Sequence, residues 1–359
     1  MKRIIALIVI MVGCLLAFVA CNNSDNNSDN YSEGIAFTSN GNGSCYVSGI
    51  GTCTDAEVLI PPSYKGDKVT GIGQFAFQDC TQLTSIEIPD SVTNIGNLAF
   101  SGCSGLTSIG ISDSVTSIGS GAFQGCTELT SIVIPDSVTS IYQFTFADCT
   151  ALTSVRIPES MTNISVMAFQ DCSNLTEIRV AEGNPVFHSE GNCLIETKSK
   201  TLVLGFKNSV IPNDGSVTSI GPLAFSTCSG LTSIDIPDSV TSIDLGAFSN
   251  CTGLTSIDIP DSVTNIGNSA FSDCSGLTSI IIPDSVTSIG DMAFSSCTSL
   301  ISIHIPTSVT SMGGSAFFKC FNLTDIYYTG TESEWNAISK GLLWDENTGS
   351  YTIHYNYIP

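Results

Sequence analysis

Cysteine is the residue type of this chain that first suggests chemistry, because thiolates bind metals, form disulfides and act as nucleophiles. The chain has 359 residues, and 15 of them are cysteines. Ten follow the phenylalanine of an Ala-Phe or Thr-Phe pair by three residues and recur with a 23-residue period. They form two series: Cys80, Cys103, Cys126, Cys149 and Cys172, then Cys228, Cys251, Cys274, Cys297 and Cys320. Zinc is disfavoured, since there is no C-x-x-C pair and there are only three histidines.

The period predicts that these cysteines form a column inside a core, one in each coil of a repeat. Parallel side chains on stacked coils have the wrong mutual orientation for a disulfide. We therefore interpret the periodic cysteines as buried free thiols that pack as small apolar side chains. Cys45 and Cys53 lie outside the column, and the residues leave open whether they are free or form a disulfide in an exported protein.

A carboxylate also recurs once per coil, after the residue that ends each strand, which is a proline in all of these coils except that of Asp113. These residues are Asp90, Asp113, Asp136, Glu159, Asp238, Asp261 and Asp284. Stacked carboxylates could bind calcium weakly. An Asp-Ser turn with a solvated charge explains the same pattern, and we favour this interpretation. No metal and no other cofactor is predicted.

A Ser–His–acid arrangement is conceivable among so many serines. His304, however, stands where other coils have Asp, Ile or Glu, so its position varies as a surface position does. We predict that the chain is not an enzyme.

The element that positions all these side chains is a short coil, repeated with a fixed period, which predicts a solenoid. In one coil, Leu83, Ile86 and Ile88 spell L-x-x-L-x-L, the pattern of a short strand with alternate residues in the core. A proline then ends the strand. Val92 and Ile95 predict a second extended piece, and Ala99-Phe100 predicts a brief helical or 3₁₀ turn that closes the coil.

These units resemble the leucine-rich repeats of BspA-like bacterial surface proteins. The resemblance is carried by Leu-Thr-Ser-Ile-x-Ile-Pro-Asp-Ser-Val-Thr-Ser-Ile-Gly-x-x-Ala-Phe-x-x-Cys units, clearest at 254–274 and 277–297, and by the flanking segments, so that it covers nearly all of 35–356. It implies a right-handed, curved leucine-rich-repeat rod of short parallel strands with capped ends. It also implies an exported cell-surface protein that adheres to host extracellular-matrix proteins or to other cells.

The chain divides into five predicted segments. These are a signal peptide (1–20), a flexible tether (21–34), an N-terminal cap (35–68), the solenoid (69–326) and a C-terminal cap (327–359). In the C-terminal cap, Thr331 and Glu334 form a capping-box pattern for a short helix, and Trp335 and Trp344 are expected to close the last coil.

One segment interrupts the repeat. Cys172 and Cys228 are 56 residues apart instead of 46, so 181–213 holds an irregular coil with about ten extra residues. Within it, 193–195 and 201–204 are apolar and flank a polar turn, which predicts a β-hairpin insertion.

The N-terminus predicts export. Lys2 and Arg3 precede an apolar run that ends at Val19-Ala20-Cys21, as in a secretory signal. The ending resembles the lipobox of bacterial lipoproteins, which implies lipidation of Cys21 and attachment to the outer membrane. An ordinary secretory cut is the alternative.

The formal charge of −22 disfavours partners that are nucleic acids. Leucine-rich repeats commonly bind proteins on the concave strand face, where the residue between the two core isoleucines is free to vary. From this position we select Glu87, Arg156, Arg179, Asp235, Asp258 and His304 as candidate contacts. The expected partner is a protein on the host matrix or on another cell surface, and the chain is expected to be a monomer.

A basic island is the sharpest candidate on this acidic chain. Arg156 and Arg179 are one coil apart, and Lys198, Lys200 and Lys207 lie in the irregular segment. The alternative is that Glu177, Glu182 and Glu196 neutralise these charges. Two other functions stay open: a structural spacer without a specific partner, and a glycan-binding protein, which would need exposed aromatic residues on the strand face.

Overall fold

The structure is a computed structural model that describes residues 31–358. The predicted signal peptide, most of the tether and the lipidation site Cys21 lie outside the described residues.

Residues 31–358 fold into 27 short strands and one helix, α1 (Glu332–Ala337). In chain order the strands are β1 (Ala36–Ser39), β2 (Ser44–Gly49), β3 (Glu57–Leu59), β4 (Ser63–Tyr64), β5 (Asp67–Ile72), β6 (Ser85–Glu87), β7 (Asn94–Ile95), β8 (Ser108–Gly110), β9 (Ser117–Ile118), β10 (Ser131–Val133), β11 (Ser140–Ile141), β12 (Ser154–Ile157), β13 (Asn163–Ile164), β14 (Glu177–Val180), β15 (Phe187–Glu190), β16 (Cys193–Glu196), β17 (Thr201–Leu204), β18 (Ser219–Ile220), β19 (Ser242–Ile243), β20 (Asn265–Ile266), β21 (Ser279–Ile281), β22 (Ser288–Ile289), β23 (Ser302–Ile305), β24 (Ser311–Met312), β25 (Asp325–Tyr328), β26 (Ser339–Lys340) and β27 (Thr352–His354).

Most regular coils contribute two strands and a corner, and in the coils of Asp235 and Asp258 the first strand is reduced to a single bridge between these two residues. This arrangement confirms the predicted leucine-rich-repeat solenoid. The first strand follows the Leu-x-x-Ile-x-Ile pattern, as β6 does, and the second is a two-residue strand that ends at an isoleucine, as β7 does. Copies pair in parallel and in register, so that Ile86 lies beside Ile109 and Ile95 beside Ile118. A 23-residue period therefore places identical side chains one strand spacing apart, about 4.8 Å.

The first strands form one side of the solenoid, in three hydrogen-bonded groups: β3-β6-β8, β10-β12-β14 and β21-β23-β25-β27. We call the outer surface of these strands the first-strand face. The second strands form another side, grouped as β1-β2-β5-β7-β9, β11-β13 and β15-β16-β17-β18-β19-β20-β22-β24-β26.

The core contains a ladder of phenylalanine rings, one from each Ala-Phe or Thr-Phe pair. Neighbouring rings from Phe77 to Phe169 and from Phe225 to Phe317 stack with centroids 5.1–5.6 Å apart. All ten are buried, and nine are wholly inaccessible. Close parallel rings and large apolar burial make this ladder a main source of cohesion between coils.

The periodic cysteines lie beside the ladder as free thiols, as predicted. Nine are buried and Cys228 is half-buried. In a regular pair of coils the Sγ–H donates to the carbonyl of the phenylalanine 26 residues earlier, as in Cys126 to Phe100 (3.3 Å) and Cys274 to Phe248 (3.1 Å). The thiols thus join successive coils, which goes beyond the predicted role as apolar filler.

The corner that carries Ala-Phe consists of consecutive turns, where a helical or 3₁₀ piece was expected. Ala99 N–H donates within the coil to Gly96, whereas Leu98 and Phe100 donate to the next coil, at Ser120 (2.9 Å) and Ala122 (2.8 Å). Leu98 has a positive φ of 53°, so the backbone leaves the right-handed helical region at this residue. Because every second amide donates to the next coil and not to a residue of its own coil, a continuous helix cannot form here.

The irregular segment forms the predicted hairpin, in which β16 and β17 pair antiparallel. It also forms β15, which pairs with β16 and was not predicted. Within residues 31–358, no pairing joins β13 to β15, and the phenylalanine ladder is interrupted between Phe169 and Phe225. The buried apolar side chains accordingly fall into two clusters, Ile35 to Phe206 and Cys193 to Ile338. We call this boundary the seam.

Both ends of the solenoid are covered. The hairpin β1–β2 covers the front, with β2 parallel to β5. At the back, the capping box of Thr331 and Glu334 is formed, as predicted. Trp335 is buried, and Trp344 packs edge-on against Phe317, the last ring of the ladder (6.1 Å). Within the described part of the chain, no helix has the length and apolar character that would span a bilayer.

Candidate functional site

The first-strand face carries a column of side chains that lie outside the core. In most coils this position lies between two buried core residues, so the period-2 alternation of the strand points it outward. Glu87, Arg156, Arg179, Asp235 and Asp258 are all exposed, and their role as contacts stays a prediction. We call this set of positions the variable column. In chain order it comprises Glu87, Gly110, Val133, Arg156, Arg179, Asp235, Asp258, Ile281, His304, Tyr327 and His354.

The two arginines of the column are neighbours, with Arg156 on β12 in register with Arg179 on β14. Each has an acidic partner: Arg156 lies 3.7 Å from Asp136, and Arg179 donates through Nε to Glu177 at 2.8 Å. Their side chains are more than half exposed, so these ion pairs are weak, and the guanidinium groups are accessible to a partner.

The lysines of the predicted island do not join the arginines in a common contact network. Lys200 Nζ donates to the Gly215 carbonyl (3.0 Å), and Lys207 Nζ donates to the Ser173 carbonyl (3.0 Å). Lys198 is exposed in the turn between β16 and β17. Of the three predicted neutralising acids, Glu177 pairs with Arg179, whereas Glu196 accepts from the Ser199 hydroxyl (2.6 Å).

At the C-terminal end, the variable column becomes apolar and aromatic. Ile281, His304, Tyr327 and His354 lie side by side on β21, β23, β25 and β27. The rings stack, with centroid distances of 4.6 Å between His304 and Tyr327 and 4.7 Å between Tyr327 and His354. Ile281 is 58% exposed. We call these four residues the aromatic strip.

Tyr357 packs on the side of the aromatic strip, 5.0 Å from His304 and 4.7 Å from Tyr327 between ring centroids. His304 is therefore half-buried, although its sequence position suggested an ordinary surface residue. This burial lowers the pKa of His304, and its Nδ1 has no hydrogen-bond partner within residues 31–358. His304 is thus held as a neutral ring that can pack against an apolar surface.

His354 is held in place by Asp325, whose Oδ1 lies 2.7 Å from His354 Nε2. This hydrogen bond, together with one from Thr324, lowers the pKa of Asp325. A depression of about 170 Å³ adjoins the strip and is lined by Asp261, Ile281, Pro283, His304 and Pro306, among others. Exposed apolar side chains beside a small pocket are the arrangement in which binding energy concentrates at protein interfaces.

The possible disulfide of Cys45 and Cys53 is not formed, and both residues are buried free thiols. The reason is their placement. Cys45 lies on β2, where its Sγ–H points to the Asp67 carbonyl (3.8 Å), whereas Cys53 follows a turn and lies near Cys80.

The once-per-coil carboxylates are all exposed. Within residues 31–358 no three His, Cys, Asp or Glu side chains are grouped as metal ligands would be. His188 contacts Thr197 (2.8 Å) and His354 contacts Asp325. Within the described residues no histidine forms a hydrogen bond with a serine, as a Ser–His–acid arrangement would need.

The in-register parallel coils are those of a leucine-rich-repeat solenoid. The model of the BspA-type leucine-rich repeat region matches six copies, at 67–193 and 216–339. Since these ranges include more than half of the chain, the protein belongs to the BspA-type leucine-rich repeat family, as the resemblance implied.

Solved structures agree with this assignment. A leucine-rich cell surface protein from Faecalibacterium prausnitzii is 31% identical over 88% of this chain and 99% of its own, with a TM-score of 0.57. A leucine-rich repeat protein from Eubacterium ventriosum (23% identity, TM-score 0.70, 92% and 96% covered) shares the fold. So does the pneumococcal vaccine antigen PcpA (20% identity, TM-score 0.66, 91% and 98% covered). No curated protein matches the chain.

Proposed function

We propose that this chain is an exported surface protein that adheres to a protein on a host matrix or another cell through its first-strand face. The observation that carries the proposal is the aromatic strip, where four adjacent strands present Ile281, His304, Tyr327 and His354 on a face that needs none of them for the core. The similar protein from Faecalibacterium prausnitzii is described as a cell surface protein, which supports placement on the surface.

The strip has the features of an interface centre. Tyrosine is enriched among the residues that dominate binding energy, and these residues cluster around small pockets. The stacked rings are already ordered, so binding does not have to fix their rotamers. Asp235 and Asp258 precede Ile281 in the variable column, and Asp261 lines the adjoining depression; these exposed acidic residues favour a partner with basic residues at the rim.

The arginine pair is a second contact region within the same function. Arg156 and Arg179 are accessible. Their ion pairs with Asp136 and Glu177 are exposed and therefore weak, so a carboxylate of a binding partner can replace these acids. With Lys198 and Lys200 they would favour an acidic partner segment. Lys207 is less suited, because its ammonium group bonds the Ser173 carbonyl.

Point variants on the variable column test the proposal. Ile281→Lys places a charge beside the strip and should weaken adherence at least tenfold, about 1.4 kcal/mol. Val133→Lys is the matched control, because Val133 occupies the same position on β10 and is 72% exposed. Equal loss of adherence in both variants, with folding preserved, would contradict a role for the strip.

The arginine pair is tested separately. Changing Arg156, Arg179, Lys198 and Lys200 together to Ser should remove the salt sensitivity of adherence if the partner is acidic there. Unchanged adherence at every salt concentration would restrict binding to other parts of the face.

Glycan binding is the second candidate, because Tyr327 and His354 supply the rings on the strand face that a sugar needs for stacking. The aromatic strip would then bind oligosaccharides on an array, and Tyr327→Ser would abolish the signal. Binding to a deglycosylated protein partner with undiminished affinity would exclude this alternative.

A further inference from the structure

The seam contains a coil that continues the solenoid but lacks a ladder ring. In regular coils the phenylalanine N–H donates to the next coil, as Phe225 does to Ala247 (2.8 Å), and its carbonyl accepts from the next cysteine. In the irregular coil Gly205 makes both bonds, donating to Ala224 (2.8 Å) and accepting from Cys228 Sγ (3.5 Å). Gly205 thus occupies the phenylalanine position of the ladder.

The ladder ring is absent from this coil because β17 brings the chain to the phenylalanine position after fewer residues than a regular second strand does. In a regular coil the phenylalanine comes five residues after the isoleucine that ends the second strand, as Phe100 does after Ile95. In the irregular coil Leu202 takes the place of that isoleucine, because it pairs with Ile220, and Gly205 comes only three residues after it. The chain therefore reaches the phenylalanine position two residues earlier than in a regular coil. A Cβ at Gly205 would collide with the ring of Phe225, and therefore only glycine fits.

A cavity of about 230 Å³ lies on the other side of Gly205, towards Phe169. Its apolar lining includes Phe169, Cys172, Leu175, Leu204, Phe206 and Cys228; polar side chains such as Asp171 and Thr227 also line it, and it is partly open to solvent. We call it the seam cavity. A well-enclosed apolar cavity of about 150 Å³ is known to stay dry and to bind benzene. The seam cavity is therefore large enough for a six-membered aromatic ring with a small substituent.

Within the described residues, one backbone amide beside this cavity, Phe169 N–H, lacks the carbonyl acceptor that it would have in a regular coil. In the preceding coil Phe146 N–H donates to the Ala168 carbonyl (2.9 Å), but for Phe169 N–H no acceptor is present within residues 31–358. Two residues on, Asp171 N–H is bonded by the Thr227 hydroxyl (3.3 Å), which reaches across from the coil beyond. An unpaired amide in an apolar site favours a ligand that supplies an oxygen acceptor.

Other backbone groups at the seam are already satisfied. The Ser173 carbonyl accepts from Lys207 Nζ, and the Thr176 carbonyl accepts from Asn208 Nδ2 (2.9 Å). These side chains replace bonds that a regular coil would make. The unpaired Phe169 amide is thus a selective feature of the cavity rather than one of many broken bonds.

We propose that the seam cavity binds a small, neutral aromatic molecule that carries an oxygen acceptor. The ring would pack on Phe169, which stacks on only one side in the ladder, and the oxygen would accept from Phe169 N–H. The site is distinct from the first-strand face, and its ligand need not be the adhesion partner.

Benzamide is a suitable probe, with two relatives that each remove one feature: cyclohexanecarboxamide lacks the aromatic ring, and toluene lacks the acceptor. Calorimetric titration of the purified chain should show saturable binding of benzamide, at least fivefold tighter than either relative. Cys228 is the half-buried thiol of the column and lines the cavity, so bound benzamide should slow its alkylation by iodoacetamide at least tenfold.

Cys228→Met extends a side chain into the cavity and should weaken benzamide binding at least tenfold. Cys297→Met is the matched control, because Cys297 is fully buried in coils that keep their ladder phenylalanine. No cavity can accept the longer side chain there, so this variant should lower the unfolding midpoint instead. The proposal is overturned if benzamide shows no saturable binding, if either relative binds as tightly, or if Cys228→Met folds and binds benzamide with unchanged affinity.

Discussion

The interruption of the ladder predicts that the two halves of the solenoid unfold separately. Coils contact only their neighbours, so a weak junction divides a repeat protein into two cooperative units. Phe123→Ala and Phe294→Ala are the matched perturbations, one in each half. Each ring is fully buried and stacks on both sides, at 5.4 and 5.6 Å for Phe123 and at 5.4 and 5.5 Å for Phe294.

The expected loss is about 3–5 kcal/mol in the half that carries the substitution, because the ring leaves a cavity that the stacked coils cannot close. With a slope of about 2–3 kcal/mol per molar urea, this shifts the unfolding midpoint of that half by roughly 1–2 M. The thiol bonds are preserved, since Cys149 and Cys320 donate to the backbone carbonyls of the two substituted residues.

Tryptophan fluorescence separates the halves. Both tryptophans, Trp335 and Trp344, lie at the end of the C-terminal half, whereas far-ultraviolet circular dichroism reports on all strands. Phe294→Ala should shift the fluorescence midpoint, and Phe123→Ala should leave it in place while an earlier dichroism transition appears. If Phe123→Ala shifts the fluorescence midpoint as far as Phe294→Ala does, the seam transmits cooperativity and the reasoning fails.

Three further predictions follow from single residues. Cys21→Ser should release the protein into the soluble fraction or leave its precursor uncleaved, and unchanged membrane attachment in a fractionation assay would rule out lipidation there. Burial raises the pKa of Cys126, so iodoacetamide should spare this thiol in the folded protein and modify it after unfolding; Cys126→Ser should cost about 1–3 kcal/mol in a urea titration. The pKa of His304 is lowered by burial, so below about pH 6.5 the unfolded chain binds a proton that the folded chain does not. Acidification from neutral pH should therefore lower the fluorescence midpoint, and His304→Phe should reduce this dependence; an unchanged slope would show that other groups cause it.

The repeat could be predicted from the sequence because one rule holds in every regular coil. Leu83, Ile86 and Ile88 mark the first strand by the L-x-x-L-x-L pattern, and Phe100 and Cys103 follow this strand at a fixed distance in the sequence. The corner was less predictable. Its turns depend on positive φ at residues as different as Leu98 and Gly102, and these residue types give no common local signal.

The aromatic strip was within reach of the sequence, but only in part. Leu323, Ile326 and Tyr328 follow the strand pattern 23 residues after Leu300, Ile303 and Ile305, which places Tyr327 in the variable column. His354 could not be placed in this way. It lies 27 residues after Tyr327, and only the pairing of β25 with β27 brings the two rings together.

Gly205 was hidden from sequence reasoning because the irregular segment has no frame of its own. Counting residues from Cys172 or Cys228 does not reveal which position replaces the phenylalanine, since β15 and β16 absorb the extra length. Hydrogen bonds to Ala224 and Cys228 identify it.

The seam shows how a solenoid can lose a rung and keep its continuity. A missing backbone ladder costs free energy for each buried group that is left unpaired. Lys207 and Asn208 pair two carbonyls, and the Thr227 hydroxyl pairs an amide from two coils away. These three side chains lie at the rim, where they can reach backbone and still contact water. Polar side chains such as Ser226 and Thr227 also line the seam cavity, but within residues 31–358 none accepts from Phe169 N–H, and this leaves the amide available to a ligand there.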